Sequence, residues 1–431
     1  MRQIWHVVLA NMNADSSDAS IKVDGRRAWR WALLWLVFIY GTIPLARTVQ
    51  EFVRDIGAKM AFTWITFAVF LAGGVWIVRA FAKRRIVLSL PRACLLASII
   101  GLFMWMAWAL RANPEEAFHF VQYGILGILI YRALSFKYSG PVIYFAAFML
   151  GAVAGIVDEL IQWITPRRFF DFRDIGINVL SGALVQLGIG VGLRPALPRR
   201  KNYFAAWRIT FAAAAISLGM LFFCAINTPA VFEMYARYIP VGVHLLSPTA
   251  EYGHFIKDPE TGSFYSRLRA EELRASDVAR GAEVGPWISA YKHDRQYDDF
   301  TYRYAAWKHP LAVEARVHIF RRDRYARELR SEKLTAEERT EKARVAHHEN
   351  LILEKYFPNV LKNSIYAWPP ERKDAVASYG VDEDYVSAVS ANLITGLSQR
   401  FLLILIASLL VAAIAGERWA AWRGIHEQRT V

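Results

Sequence analysis

Cysteine is almost absent from this chain of 431 residues: Cys94 and Cys224 are the two it has, and both lie in apolar runs. The long polar segment 227–398 holds neither, which excludes a disulfide framework and a Cys-based metal site there. Charge is scarce too, at 21% of residues against 55% hydrophobic, with 15 Trp and 26 Phe. A soluble chain intersperses such apolar residues with charge, whereas here they come in blocks of about twenty, the length that crosses a hydrocarbon core of ~30 Å. GxSxG, Walker, HExxH and strand-associated GxGxxG motifs are missing, as are internal repeats and low-complexity tracts. No cofactor and no metal is implied. The stretch Ile4 to Leu9 is too short for a signal-peptide core, and the polar run Asn11 to Asp24 follows it, so the chain is expected to anchor through its own helices.

Eight apolar blocks are present: Trp29 to Leu45, Met60 to Phe81, Ala93 to Leu110, Ala117 to Leu134, Pro141 to Ile164, Ile175 to Leu193, Ala205 to Ile226 and Phe401 to Gly416. The last is short, and Ala388 to Leu397 is apolar enough to extend it as one helix through Arg400. The formal charge of +14 is unevenly distributed: segment 227–398 holds 24 basic and 25 acidic residues, and the rest of the chain 28 against 13. The excess therefore lies beside the apolar blocks, where it signals orientation and not a nucleic-acid partner. Lys22, Arg26 and Arg27, then Lys83 to Arg85 with Arg92, then Arg194 with Arg199 to Lys201, and finally Arg418 with Arg423 all fall on one side. That predicts a multi-pass protein of the bacterial plasma membrane with both termini cytoplasmic and residues 227–398 outside. The aromatics Trp29, Trp31, Trp35, Trp105, Trp108 and Trp163 read as interfacial anchors.

The expected class is an all-α polytopic membrane protein of about eight transmembrane helices, with a mixed α+β extracytoplasmic domain between helices seven and eight. Its parts are a cytoplasmic arm (1–28), two spans (29–92), a four-helix membrane domain (93–193), a basic loop with span seven (194–226), the outer domain (227–398), and span eight with a cytoplasmic tail (399–431). In the outer domain, Ala312 to Phe320 alternates Val313, Ala315, Val317 and Ile319 with polar neighbours, the pattern of a half-buried strand. Thr335 with Glu338 makes a capping box that opens a helix over Ala336 to Tyr356. Asp382, Glu383 and Asp384 load negative charge onto a helix N-terminus leading into the last span. His347, His348 and Glu349, with His318, invite a metal reading, but adjacent histidines diverge by about 100° on a helix, and a solvated face is the expectation. The run Arg321, Arg322, Asp323, Arg324 reads as a strand end or turn.

Polar residues are costly inside a bilayer, and spans four to six collect them. Glu115, Glu116 and His119 open span four, with Tyr123 and Gly127 following. Asp158, Glu159 and Gln162 close span five. A connection through Pro166, Arg167, Arg168 and Asp171 reaches Asp174, with Asn178 and Gly182 at i+4 and i+8. Loop-charge orientation places all of these near one membrane face. Arg167, Arg168 and Arg173 would break the loop-charge rule on that face, and neutralisation by Asp158, Glu159, Asp171 and Asp174 accounts for them. Gly151 and Gly155 form a GxxxG pair suited to close helix approach, and Gly182 is a third small packing position.

The run DELIQWITPRRFFDFRDIGINVLSG, preceded by HFVQYGILG, resembles the VanZ-like membrane family, named for a low-level teicoplanin-resistance protein. The family pattern falls on His119, Asp158, Glu159, Gln162, Pro166, Arg168, Asp171, Asp174, Asn178 and Gly182, across residues 93–193. Glu115 and Glu116 replace the Asp-Lys that the family has before its histidine, so any role of that lysine is missing or moved. The resemblance implies a cell-envelope protein and assigns no catalytic residue.

His119, Asp158, Glu159, Gln162, Arg168, Asp171, Asp174 and Asn178 are thus the candidate polar site. A structural ion-pair network locking three helix ends competes with a working pocket for these residues. Three classes of function remain. One is a protein that binds or modulates a lipid-linked envelope precursor, a glycopeptide or an envelope-assembly partner. Another is an enzyme acting on a lipid-linked phosphate or sugar. The third is a transporter, disfavoured because the charges gather at one face and not at the midplane. Membrane lipid is an expected partner in all three.

Overall fold

The computed structural model describes residues 18–58, 60–83, 89–111, 116–138, 140–165, 168, 170–193, 202–236, 238, 247–292, 296–332, 334–379 and 384–429. Glu115, Pro166, Arg167, Asp382 and Glu383, and much of the basic loops, lie outside them. The chain forms two compact units, one of residues 1–224 with 403–431 and one of residues 225–402.

The first unit is built from long helices: α1 (Asp18–Asp55), α2 (Ala61–Lys83), α3 (Leu90–Ala109), α4 (Phe118–Ser135), α5 (Val142–Ile164), α6 (Phe172–Leu187) with a π-helical continuation Gly188–Leu193, α7 (Tyr203–Ile226) and the last helix of the chain, Gln399–Arg429. Among the described residues, seven helices are long and apolar enough to cross a membrane, one fewer than the eight expected. The exception is α4. His119, Gln122, Tyr123, Arg132 and Ser135 lower its apolarity, and its sides are covered: Tyr123, Leu126, Ile130 and Leu134 are buried against α1, α5 and α6. It is the central helix of the unit and needs little lipid-compatible surface.

Between helices already in lipid, apolar contact gives little net drive, so close packing and polar bridges hold the unit together. The Trp35 indole donates to the Gln122 carbonyl at 2.9 Å, and the Tyr40 hydroxyl donates to the Ala154 carbonyl at 2.9 Å, fixing α1 to α4 and α5. Ser181 and Gln186 of α6 donate to the carbonyls of Phe120 and Gly127 of α4, at 3.0 and 2.9 Å. Gly155 lets α5 and α6 meet, since a Cβ there would stand 2.9 Å from that of Asn178. Gly151 has open space around it, and a Cβ on Gly182 would make only an ordinary contact with Phe148, so the expected GxxxG reduces to one working glycine.

The second unit holds α8 (Pro229–Ala236), strands β1 (His254–Ile256) and β2 (Phe264–Ser266), α9 (Ala270–Ser289), α10 (Tyr297–Arg303), α11 (Pro310–Glu328), α12 (Ala336–Tyr356), α13 (Pro358–Lys362) and α14 (Pro370–Ala377). Helix dominates the expected mixed domain; β1 and β2 pair antiparallel as its one sheet among the described residues. Residues 312–320 are not a strand but the middle of α11, with Pro310 at its start. The alternation misled because Glu314, Arg316 and His318, the polar residues of the supposed wet face, are buried too. The first half of α11 is enclosed on nearly every side, and Glu314 and His318 find their partners inside.

The capping box of α12 forms as expected, Thr335 accepting from the Glu338 backbone and Glu338 from that of Thr335. The other end-of-domain expectations fail. Residues 388–397 run as turns and extended chain, with Leu393 and Val389 buried, so the final helix starts at Gln399 and gains its length toward Arg429. Asp384 sits in an extended segment and not at a helix N-terminus. Arg321 to Arg324 lie within α11.

His348 and Glu349 are buried, against the expectation of a solvated face. Glu349 accepts from Tyr385 at 2.6 Å and Ser387 at 2.7 Å, pairs with Arg321 at 2.9 Å, and stands 2.5 Å from His318 Nδ1. These partners satisfy a charge that would otherwise be prohibitive in a core. Gly281 and Gly285 bring α9 onto residues 359–363, where a Cβ would lie 2.4 Å from Asn359 or 2.5 Å from the Asn363 carbonyl.

Candidate functional site

The site begins with a helix stop and a helix start. α5 ends after Ile164, and α6 opens at Phe172 with Asp171 as its N-cap, whose side chain accepts the Arg173 backbone N–H at 2.8 Å. Asp174 lies in the first turn of α6, where the helix dipole favours a carboxylate. The spacing of four places Asp158 and Gln162 on one face of α5, and α4 brings His119 opposite.

Glu159 and Gln162 tie the corner together. Gln162 Nε2 donates to Glu159 Oε1 at 2.6 Å and reaches Asp158 Oδ2 at 3.5 Å, while its Oε1 accepts from Arg168. The second oxygen of Glu159 accepts the Asp171 backbone N–H at 3.1 Å. Arg168 reaches the corner through Gln162, to whose amide oxygen it donates. The amide separates the guanidinium from the carboxylates and couples them through both of its ends. His119 Nδ1 stands 3.9 Å from Asp158 Oδ2, and the His119 ring lies nearly parallel to that of Tyr123. Arg173 pairs with Glu116 at 2.7 Å, joining the start of α6 to that of α4. Glu116, one of the two residues in place of the family's Asp-Lys, thus has a structural partner.

These groups surround a cavity of about 520 Å³. Of the eight candidate residues, His119, Asp158, Gln162, Arg168, Asp171 and Asp174 line it; Glu159 and Asn178 are buried behind it, Asn178 against Gly155. Its other wall is the second half of α1, which no motif pointed to: Ile39, Ile43, Leu45 and Val49 with Thr42, Arg47 and Gln50. The signal was there in the i, i+3, i+4, i+7 spacing of Ile39, Thr42, Ile43 and Ala46, a stripe on one helix face. Gln122 completes the lining from α4. Among the described residues no group of three or more His, Cys, Asp or Glu is disposed to hold a metal ion.

Residues 30–193 match the family model described as VanZ/LLP1.

The match starts at Arg30, within α1, and so reaches well before residue 93, where the resemblance alone began. The geometry explains the extension, because α1 supplies one wall of the cavity and is bonded to α4 and α5. The VanZ-like segment therefore spans α1 from Arg30 on through α6 and its π-helical continuation. Residues 194–431, including the whole second unit, lie outside the match. No curated protein and no solved structure matches the chain. With its apolar helices, the VanZ-like segment makes this a membrane protein.

Proposed function

We propose that the VanZ-like segment binds the polyhydroxylated or glycosylated headgroup of an amphiphile, a lipid-linked envelope precursor being the class that fits best. The observation that carries this reading is the two-sided lining of the cavity. Ile39, Ile43, Leu45 and Val49 offer a hydrocarbon-like wall, and His119, Asp158, Gln162, Arg168, Asp171 and Asp174 offer donors and acceptors facing it. Sugar hydroxyls need both kinds of partner, and this wall supplies carboxylates, an amide, an imidazole and a guanidinium together. A bare phosphate fits less well, because Asp158, Asp171 and Asp174 outnumber Arg168 on the polar wall. Loop charge puts the site toward the extracytoplasmic leaflet, with both termini inside and residues 227–398 outside the bacterial plasma membrane. Glycopeptide binding or modulation of an assembly partner would use the same wall.

A second reading, transfer or hydrolysis on a lipid-linked substrate, is favoured by the His119 and Asp158 pair at 3.9 Å, an imidazole beside a carboxylate inside the cavity. One experiment separates the readings. Native mass spectrometry of the purified protein should find co-purifying glycolipid, lost in Asp158→Asn and Arg168→Gln. Turnover of lipid-linked precursor abolished by His119→Gln, with lipid retention unchanged, would establish the enzyme. Absence of any retained glycolipid in the wild type, with no turnover, would refute both.

A further inference from the structure

The second unit carries a cationic cavity that the VanZ-like match does not reach. It has a volume of about 260 Å³ and is lined by Arg316, Arg327, Arg330, Lys292 and Arg372, with Asp323 as its one acidic residue among those described. That is slightly below the roughly 300–1,000 Å³ of sites for drug-sized ligands, so its occupant is a small group.

The cations are brought together by three segments. Arg316, Asp323 and Arg327 recur at i, i+7 and i+11 along α11, which puts them on one helix face, and Arg330 follows at its C-terminal end. Arg372 comes from α14 and Lys292 from the chain after α9. Asp323 offsets only part of this charge: it pairs with Arg372 and is also engaged by groups that do not line the cavity. It accepts from the Trp368 indole at 2.7 Å and from Arg322 at 3.0 Å, and Arg372 stands 3.6 Å away.

Arg316 decides the matter. It is 2% exposed, and its guanidinium is held between the rings of Phe320 and Tyr366, at 6.0 and 5.7 Å from their centroids. One terminal nitrogen donates to the Tyr291 carbonyl at 3.3 Å, yet Nε has no protein acceptor among the described residues. A buried guanidinium donor without an acceptor is costly, and one lining a cavity is satisfied by an anion entering it.

We infer that this cavity binds a phosphate or diphosphate group. Guanidinium forks match the oxygens of a phosphoryl group two at a time, and a multiply charged anion answers several cations around one occupied carboxylate. The aromatic stacking on Arg316, and that of Arg372 on Trp368 at 4.3 Å, fixes these donors before the ligand arrives. The same chemistry is offered by a soluble phosphate ester and by an anionic lipid headgroup. The site involves none of the VanZ-like residues, so it stands or falls independently of the function proposed above.

The test is isothermal titration of the full-length protein in neutral detergent with inorganic diphosphate, and in a second arm with dihexanoyl phosphatidylglycerol against its phosphatidylcholine counterpart. One equivalent of diphosphate is expected to bind. The exposed pair Arg327→Gln with Arg330→Gln, which leaves the core intact, should weaken binding by about tenfold or more for each guanidinium lost. Arg316→Gln should do the same where its melting temperature shows it folded. Lys308→Gln with Lys362→Gln removes equal charge elsewhere and should change nothing. Binding of diphosphate marks a soluble ligand, and binding of phosphatidylglycerol alone marks a headgroup; either sustains the inference. It is overturned if neither probe binds, or if the two double variants weaken binding equally.

Discussion

Glu159 holds the start of the next helix through the backbone of Asp171, its Oε2 accepting that N–H at 3.1 Å. Asp171 in turn caps α6, so a fully buried carboxylate on one helix fixes the first turn of another. Glu159→Gln keeps the shape but swaps one acceptor for a donor, facing either Gln162 Nε2 or the Asp171 N–H. The expected cost is about 1–3 kcal/mol. It is measured as a lowered melting temperature in detergent, while Asp174→Asn, on the cavity wall, should melt closer to wild type. Equal melting of wild type and Glu159→Gln would contradict the network.

The two glycines of the α5 GxxxG pair should behave oppositely. Gly155→Ala drives a Cβ to within 2.9 Å of that of Asn178 and must push α5 from α6, at about 1–3 kcal/mol. Gly151→Ala meets nothing within 4 Å and should be neutral or slightly stabilising. Thermal melts of the two variants decide it, and a matching loss in both would mean that the helices are packed differently.

Acid should loosen the second unit in a defined window. Burial would raise the Asp258 carboxyl, but Lys355, the Tyr356 hydroxyl and the backbone N–H groups of Glu260 and Thr261 bring it down from 3.8 to about 2. Burial likewise opposes Glu349, and His318, Tyr385 and Arg321 outweigh it and hold that carboxyl below the ordinary range. A carboxylate depressed in the folded state stabilises fully above its unfolded value and loses that contribution as pH falls toward the folded one. Hydrogen exchange in peptides from residues 225–402 should therefore accelerate between about pH 4 and pH 2. Asp258→Asn should show less change across this window, and a variant profile superimposing on wild type would exclude the assignment.

Topology is open to direct labelling. Ser331 and Ser378 are exposed in the second unit, and each replaced by Cys should react with an impermeant maleimide in intact cells whose outer membrane, if present, is permeabilised. Protection of both would invert the orientation and move the VanZ-like cavity to the cytoplasmic leaflet.

The sequence alone determined the membrane character, the positions of five spans to within a few residues, the capping box of α12 and six of the residues that line the cavity. Each is a local property: apolar length, a three-residue cap, or residues spaced by four on one helix. It misjudged α11, because alternation along nine residues cannot distinguish a half-wet strand from a helix buried all round. Only the tertiary structure shows that Glu314 is satisfied by Ser266 and Arg267, and that His318 Nδ1 meets Glu349. Tertiary structure also sorted the candidate site, putting Asp158 and His119 on the cavity wall and Glu159 and Asn178 behind it. Residues four apart share a face, but which face meets a cavity depends on the neighbouring helices. The apolar wall of α1, more than sixty positions before His119, was decided by packing in the same way, through Trp35 and Tyr40 donating to backbone carbonyls of α4 and α5.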